Sequence, residues 1–239
     1  MSAATIILVH GAWHGSWCWE PLVPHLQARG LSARTLDLPS VHGAAAAQAQ
    51  APGLGADAAA VRALIDRVSA ERAGPIALCG HSYGGMVVSL AAAGDARIAQ
   101  LLYLCAFMPQ DGESLLAVGG NRYAPWVRLL EGGLTLPDLA QAGQVFYQDC
   151  DPTMQQRAIA QLKPQRARAF EEPVPHAAWH EIPATYVVCA RDQALPVSMQ
   201  RELFAPRATA RRELDSGHSP FLSQPRALAD ALAQALAGS

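Results

Sequence analysis

Six short runs rich in β-forming residues punctuate the chain: Thr5 to Val9, Ala33 to Leu36, Pro75 to Cys79, Ile98 to Ala106, Pro183 to Ala190 and Ala208 to Leu214. Most are continuously apolar rather than alternating, the pattern of strands covered on both faces in a largely parallel sheet. Helical patterns stand between several of them: Gly55 to Arg72, with Val61, Leu64, Ile65 and Val68 at helical spacing, then Gly84 to Ala93, and Pro225 to Ala237. Strand and helix alternate, so the expected class is α/β. A chain of 239 residues is long enough for one such domain with a sizeable core and too short to suggest two.

Composition narrows the function classes. Charged residues make up 16% and hydrophobic ones 51%, far from the corner in which chains stay disordered. Net charge is −2, Lys163 is the only lysine, and the arginines are scattered, so no basic patch invites nucleic acid. The longest apolar run, Leu101 to Met108, falls far short of the roughly 20 residues that cross a bilayer, and no basic segment precedes a signal-type stretch. A soluble cytoplasmic protein without a membrane partner is expected. The five cysteines, Cys18, Cys79, Cys105, Cys150 and Cys189, are odd in number and include no CxxC pair, which reads as reduced structural thiols. Ala44 to Ala51 reads as a loop with a short helical turn.

The alternation lapses once, between Pro109 and about Pro183. This stretch carries two Gly-Gly pairs, several prolines and the aromatics Tyr123, Trp126, Phe146, Tyr147, Phe170 and Trp179. It is too long for an ordinary loop and reads as a lid. The division expected is therefore core over 1–108, lid over 109–182 and core again over 183–239, within one structural domain.

The strongest chemical signal is Gly80-His81-Ser82-Tyr83-Gly84-Gly85, directly after one β-rich run and directly before a helix of small residues. A G-x-S-x-G turn of this kind is so sharp that small neighbours must surround a strained serine. It would present the Ser82 hydroxyl at a helix N-terminus, where free N–H groups favour developing negative charge. A serine nucleophile needs a general base, and that base needs an orienting carboxylate. His218, between the last run and the final helix, occupies the place expected of the base. Asp192 follows the run ending at Ala190 and is favoured as the acid over Asp111 and Asp215. The oxyanion formed in acyl transfer needs two donors: the backbone N–H of Tyr83, and one from His10-Gly11-Ala12-Trp13-His14-Gly15, best placed at Ala12. His10 and His81 are expected to brace these turns. The HxxxH pairs His10/His14 and His176/His180 lack a glutamate or a third ligand, and no glycine phosphate cradle is present, so neither a metal nor a cofactor is expected.

Five segments, HGAWHGSWCW (His10 to Trp19), GHSYGGM (Gly80 to Met86), YLCAFMP (Tyr103 to Pro109), TYVVCARD (Thr185 to Asp192) and SGHSPFLSQP (Ser216 to Pro225), span nearly the whole chain in order. They resemble the α/β-hydrolase superfamily, and more narrowly its branch of plant methyl esterases, salicylate-binding esterase, hydroxynitrile lyases and bacterial esterase relatives. The resemblance implies an α/β-hydrolase fold: a mostly parallel sheet flanked by helices, with a helical cap inserted after the sixth core strand. It implies a triad of Ser82, Asp192 and His218, with Ala12 and Tyr83 as oxyanion donors. It also implies a cap tryptophan over the acyl pocket, best matched by Trp126. In the lyases of this branch a lysine follows the catalytic histidine and a threonine stands in the first loop; here those positions are Ser219 and Ala12. Dehalogenases and epoxide hydrolases that resemble the fold attack with aspartate, unlike Ser82. The expectation is a serine hydrolase that cleaves small to medium apolar carboxylic esters through an acyl-enzyme. Trp13, Phe107, Trp126 and Ser219 are expected against the substrate, and Leu129, Leu130 and Phe146 in the lid. A small-molecule ester is the expected partner. The rivals are a hydroxynitrile lyase using the same triad and a non-catalytic ligand receptor.

Overall fold

The computed structural model describes residues 4–42, 51–71 and 73–238, so the alanine-rich segment beginning at Ala44 lies outside the described residues except for Ala51. Each β-rich run forms one strand. In chain order these are β1 (Thr5–Val9), β2 (Ser32–Thr35), β3 (Ile76–His81) and β4 (Ile98–Leu104) before a long insertion. Beyond it the same sheet takes up β8 (Ala184–Cys189) and β9 (Ala210–Leu214). The order is β2-β1-β3-β4-β8-β9, and every neighbouring pair is parallel. Strands β1, β3 and β8 are buried throughout, whereas the edge strands β2 and β9 are half exposed, as continuous apolar runs in the middle of a covered sheet require.

Helices α1 (Val23–Gln27), α2 (Pro39–His42), α3 (Leu54–Glu71) and α4 (Gly84–Ala91) lie in the crossovers of the first half, and α9 (Pro220–Ser223) and α10 (Pro225–Ala237) close the chain. Helix α3 packs on α4, and α1 on α10. Every residue of α4 except Leu90 is buried, so its run of small and aliphatic residues is that of a core helix rather than a surface one. From β1 the chain steps to β2 on one side and then returns to β3 on the other. That reversal opens a crevice at the carboxyl ends of β1 and β3, the position where α/β sheets assemble their sites.

The insertion between β4 and β8 carries α5 (Leu115–Val118), β5 (Val127–Leu130), β6 (Leu134–Pro137), α6 (Leu139–Phe146), α7 (Pro152–Gln161), β7 (Gln165–Arg166) and α8 (Arg168–Glu171). Ser114, Asp138 and Asp151 each accept a first-turn N–H and so start α5, α6 and α7. Two details depart from the expected helical cap after a sixth strand. The insertion follows the fourth strand in chain order, because each of the four preceding runs forms one strand. It also holds a three-stranded sheet, β5-β6-β7. Gly132 and Gly133, at φ 72° and 68°, close the antiparallel β5–β6 hairpin in the left-handed region that glycine adopts without strain.

Candidate active site

The turn after β3 holds Ser82 at φ 52°, a region costly for any residue with a Cβ. Backbone bonds hold it there: Ser82 N–H donates to the Leu104 carbonyl at 3.3 Å, and the Ser82 carbonyl accepts from Gly85 and Phe107, both at 3.1 Å. The surrounding glycines are sterically required. A Cβ at Gly80 would lie 2.5 Å from the Gly84 oxygen, and one at Gly84 would lie 2.5 Å from the Val9 oxygen. The N-cap position of α4 is Tyr83, so Ser82 does not occupy the helix-capping place that a merely structural serine would take.

His218 lies in the loop after β9 and is buried, as is Asp192 after β8. The His218 Nδ1–H donates to Asp192 Oδ2 at 2.7 Å. That carboxylate is fully engaged: Oδ2 also accepts from Gln200 at 2.8 Å, and Oδ1 accepts the N–H groups of Ala194 at 2.7 Å and Leu195 at 3.0 Å. With Nδ1 committed as the donor, Nε2 is left as the basic nitrogen of the neutral ring. The other two acids lie elsewhere. Asp111 is on the surface, against His176 at 3.1 Å and His180 at 3.4 Å, and the exposed Asp215 pairs with Arg191 at 2.8 Å.

Ser82, His218, Ala12 and Tyr83 all line one cavity of about 550 Å³. Its walls are mostly apolar and include Trp13, Phe107, Phe146, Phe170 and, from the insertion, Trp126. Trp126 meets Trp13 edge to face at 5.7 Å and Phe146 at 5.2 Å. One expectation is corrected. Ser219 is buried away from the cavity lining, because its carbonyl opens α9 by accepting from Leu222 at 3.0 Å and Ser223 at 3.1 Å. Leu129 and Leu130, on the β5–β6 hairpin, are 66% and 39% exposed and do not wall it either.

Buried histidines brace the first loop. His10 accepts from the Leu38 N–H at 3.1 Å through Nε2 and donates through Nδ1 to the Gly11 carbonyl at 2.8 Å. His14 donates through Nδ1 to the Ala12 carbonyl at 2.7 Å and accepts from the Tyr147 hydroxyl at 2.7 Å. His81 donates to the carbonyl of His218 at 2.9 Å. His81 and Cys105 approach His218 closely enough for all three to offer atoms within 4.8 Å of one another. They are tied into the protein: His81 and the Cys105 thiol both point to the His218 carbonyl, and His218 to Asp192.

Burial drives His14 down to about 3 from 6.5, despite its bond to Ala12. Its folded value lies below its unfolded one, so its contribution to stability is full above about 6.5 and is lost as the pH falls toward 3. Between pH 7 and pH 5 the wild type is expected to lose about 2 kcal/mol more unfolding free energy than His14→Gln, read from urea titrations at both values. Equal losses would show that His14 is not the group responsible.

One group of buried polar residues escaped the sequence reading: Asp57 on α3, Ser40 on α2, Thr135 on β6 and Gln165 on β7. Burial pushes the Asp57 carboxyl up to about 6, against the opposing pull of hydrogen bonds from Ser40 and Tyr83. A signal was present, because Asp57 stands four residues before Val61 and so shares the apolar face of α3.

Residues 6–231 match the family described as Alpha/beta hydrolase family. The alpha/beta hydrolase nvfD of Aspergillus novofumigatus is 30% identical, over 94% of this chain and 93% of that one. Esterase PIR7B of Oryza sativa subsp. japonica is 27% identical over 95% and 93%. Among solved structures, a pyrethroid hydrolase from Sphingobium faniae JZ-2 superposes with a TM-score of 0.79 at 25% identity, covering 99% of both chains.

Proposed function

This chain belongs to the alpha/beta hydrolase family, and from that premise we propose that it is a carboxylic ester hydrolase acting through an acyl-enzyme on Ser82. The observation that carries the reading is the juxtaposition in one apolar cavity of a serine held at positive φ and a histidine bonded to a buried carboxylate. Ser82 Oγ attacks the ester carbonyl and passes its proton to His218 Nε2 while Asp192 holds the ring. The backbone N–H groups of Ala12 and Tyr83 take the oxyanion. Collapse of the tetrahedral adduct breaks the bond to the alcohol, which leaves with the proton from His218. Water then attacks the acyl-serine ester, His218 receives its proton, and the acid departs as Ser82 regains its own.

The lid and its aromatic wall suit a small to medium apolar ester, in keeping with relatives named esterase and pyrethroid hydrolase. Five buried free cysteines support a reducing, cytoplasmic setting; among the described residues no helix is long and apolar enough to cross a membrane.

The test is turnover of p-nitrophenyl acetate and butyrate, together with labelling by a fluorophosphonate and mass mapping of the adduct. Turnover, with one phosphonate per chain carried on Ser82, is the expected result. No turnover, or an adduct on another residue, would overturn the reading. Cyanide release from mandelonitrile in place of ester turnover would reassign the same triad to cyanohydrin cleavage.

A further inference from the structure

Trp13 follows one proposed oxyanion donor and is held at φ 61°, a left-handed conformation unfavourable for a bulky residue. Three hydrogen bonds keep it there, and all three reach it from the lid insertion. Its N–H donates to Gln165 Oε1 at 3.0 Å, its indole N–H donates to Thr135 Oγ1 at 3.0 Å, and its carbonyl accepts from the Lys163 N–H at 2.9 Å. The Ala12 carbonyl in the same peptide unit is taken by His14. Both polar ends of the peptide that follows the Ala12 donor are therefore fixed.

From Gln165 the bonds continue into the core. The Gln165 amide donates to Ser40 Oγ at 2.9 Å, and the Ser40 hydroxyl donates to Asp57 Oδ2 at 2.6 Å. The Ser40 N–H donates to Asp57 Oδ1 at 2.8 Å. The Tyr83 hydroxyl reaches the same carboxylate at 2.6 Å, and Tyr83 carries the other oxyanion donor. Every hydrogen in this chain points toward Asp57: Trp13 to Gln165 to Ser40 to Asp57 from one side, Tyr83 to Asp57 from the other. A single acceptor-only group at the junction sets the direction of all of them.

We propose that Asp57 is a positioning residue that, through Tyr83 on one side and Ser40, Gln165 and Trp13 on the other, holds the two oxyanion donors in register. The lid insertion thereby belongs to the catalytic framework, besides covering the substrate. This rests on the serine hydrolase reading above. Asp57 acts on the tetrahedral adduct, where charge develops on the oxyanion, and leaves the binding of the neutral ester largely unchanged.

The test compares wild type with Tyr83→Phe, Gln165→Leu, Asp57→Asn and the double variant Tyr83→Phe/Gln165→Leu. Each is assayed for turnover of p-nitrophenyl butyrate and for inhibition by an aryl trifluoromethyl ketone, whose adduct on serine carries an oxyanion. Losing a donor outright costs about 10²- to 10³-fold, so loosening one is expected to lower kcat by about tenfold in Tyr83→Phe and in Gln165→Leu. The affinity for the ketone should fall in parallel, with KM within about threefold. The double variant should lose less than the product of the single losses, because both act through one carboxylate. Tyr83→Phe removes one oxygen and leaves Asp57 bonded to Ser40, so it decides the matter even where Asp57→Asn does not fold. Unchanged kcat and ketone affinity in Tyr83→Phe and Gln165→Leu, with only the melting temperature lowered, would overturn the positioning role while leaving the hydrolase reading intact. A wild type that turns over no ester would overturn both.

Discussion

Asp192→Asn is expected to lower kcat on p-nitrophenyl esters about 10⁴-fold, with the chain still folded. The size of the effect follows from the four hydrogens that Asp192 accepts, two on each oxygen. No partner of this carboxylate wants a donor, and asparagine must place an NH₂ group on one side. The N–H groups of Ala194 and Leu195 belong to a tight turn and cannot rotate away, so the amide oxygen settles against them. The NH₂ group then faces Gln200 and His218. Gln200 cannot turn its amide in answer, because its Oε1 accepts from the Cys189 N–H at 3.0 Å and its NH₂ also donates to the Leu195 carbonyl at 2.9 Å; His218 meets the new donor by moving its proton from Nδ1 to Nε2. In that tautomer the nitrogen left to receive the Ser82 proton already holds one. Nitrogen-15 NMR of the imidazole would report the tautomer directly, and circular dichroism the fold. A loss below about tenfold would mean that another group orients His218, although Asp111 and Asp215 are both committed on the surface.

The serine turn, the His218–Asp192 pair and the sheet were legible because their signals are local. A strand that is buried on both faces writes an unbroken apolar run, and a strained serine turn demands small residues at fixed positions on either side of it. Gly80 and Gly84 would otherwise place a Cβ within 2.5 Å of backbone oxygen. Asp192 and His218 could be assigned because each follows a strand directly, at the carboxyl end where this class of sheet builds its sites. The Asp57 network was not legible in the same way. Its members come from α2, α3, β6 and β7 and from the turns after β1 and β3, and each alone is an ordinary polar residue; only the tertiary packing makes them one chain of bonds. The small sheet of the insertion was missed for a related reason. Val127–Leu130 is intermediate to exposed along its length, so the strand lacks the apolar signature that marks the core strands. Leu129 and Leu130, apolar by type, are both exposed at the end of this strand, 66% and 39%, so residue type alone did not reveal their surroundings.

Gly85→Ala is expected to cost about 4 kcal/mol or more in unfolding free energy, a large share of the 5 to 15 kcal/mol typical of a domain. An added Cβ would lie 2.1 Å from the Phe107 oxygen and 2.9 Å from the Ala106 Cβ. The clash cannot be relieved by a side chain turning aside, because its principal partner is backbone. Nor is that backbone free to retreat. Phe107 N–H is bonded to the Ser82 carbonyl, Cys105 N–H to the Val187 carbonyl at 2.8 Å, and the Ala106 carbonyl accepts from Tyr186 at 2.7 Å. Cys105 already sits at φ 34°, so the segment has little conformational slack. Moving Phe107 would pull on the serine turn itself, and whatever fraction remains folded should show reduced phosphonate labelling of Ser82. Gly94→Ala supplies the control. Gly94 has φ 72° with nothing within 4 Å of the added carbon, so its cost is conformational alone, about 1 to 2 kcal/mol. Urea unfolding of the two variants separates the effects. If Gly85→Ala cost no more than Gly94→Ala, the Phe107 backbone would have room to retreat from the added carbon, and close packing of the serine turn against Phe107 would not be what fixes Ser82.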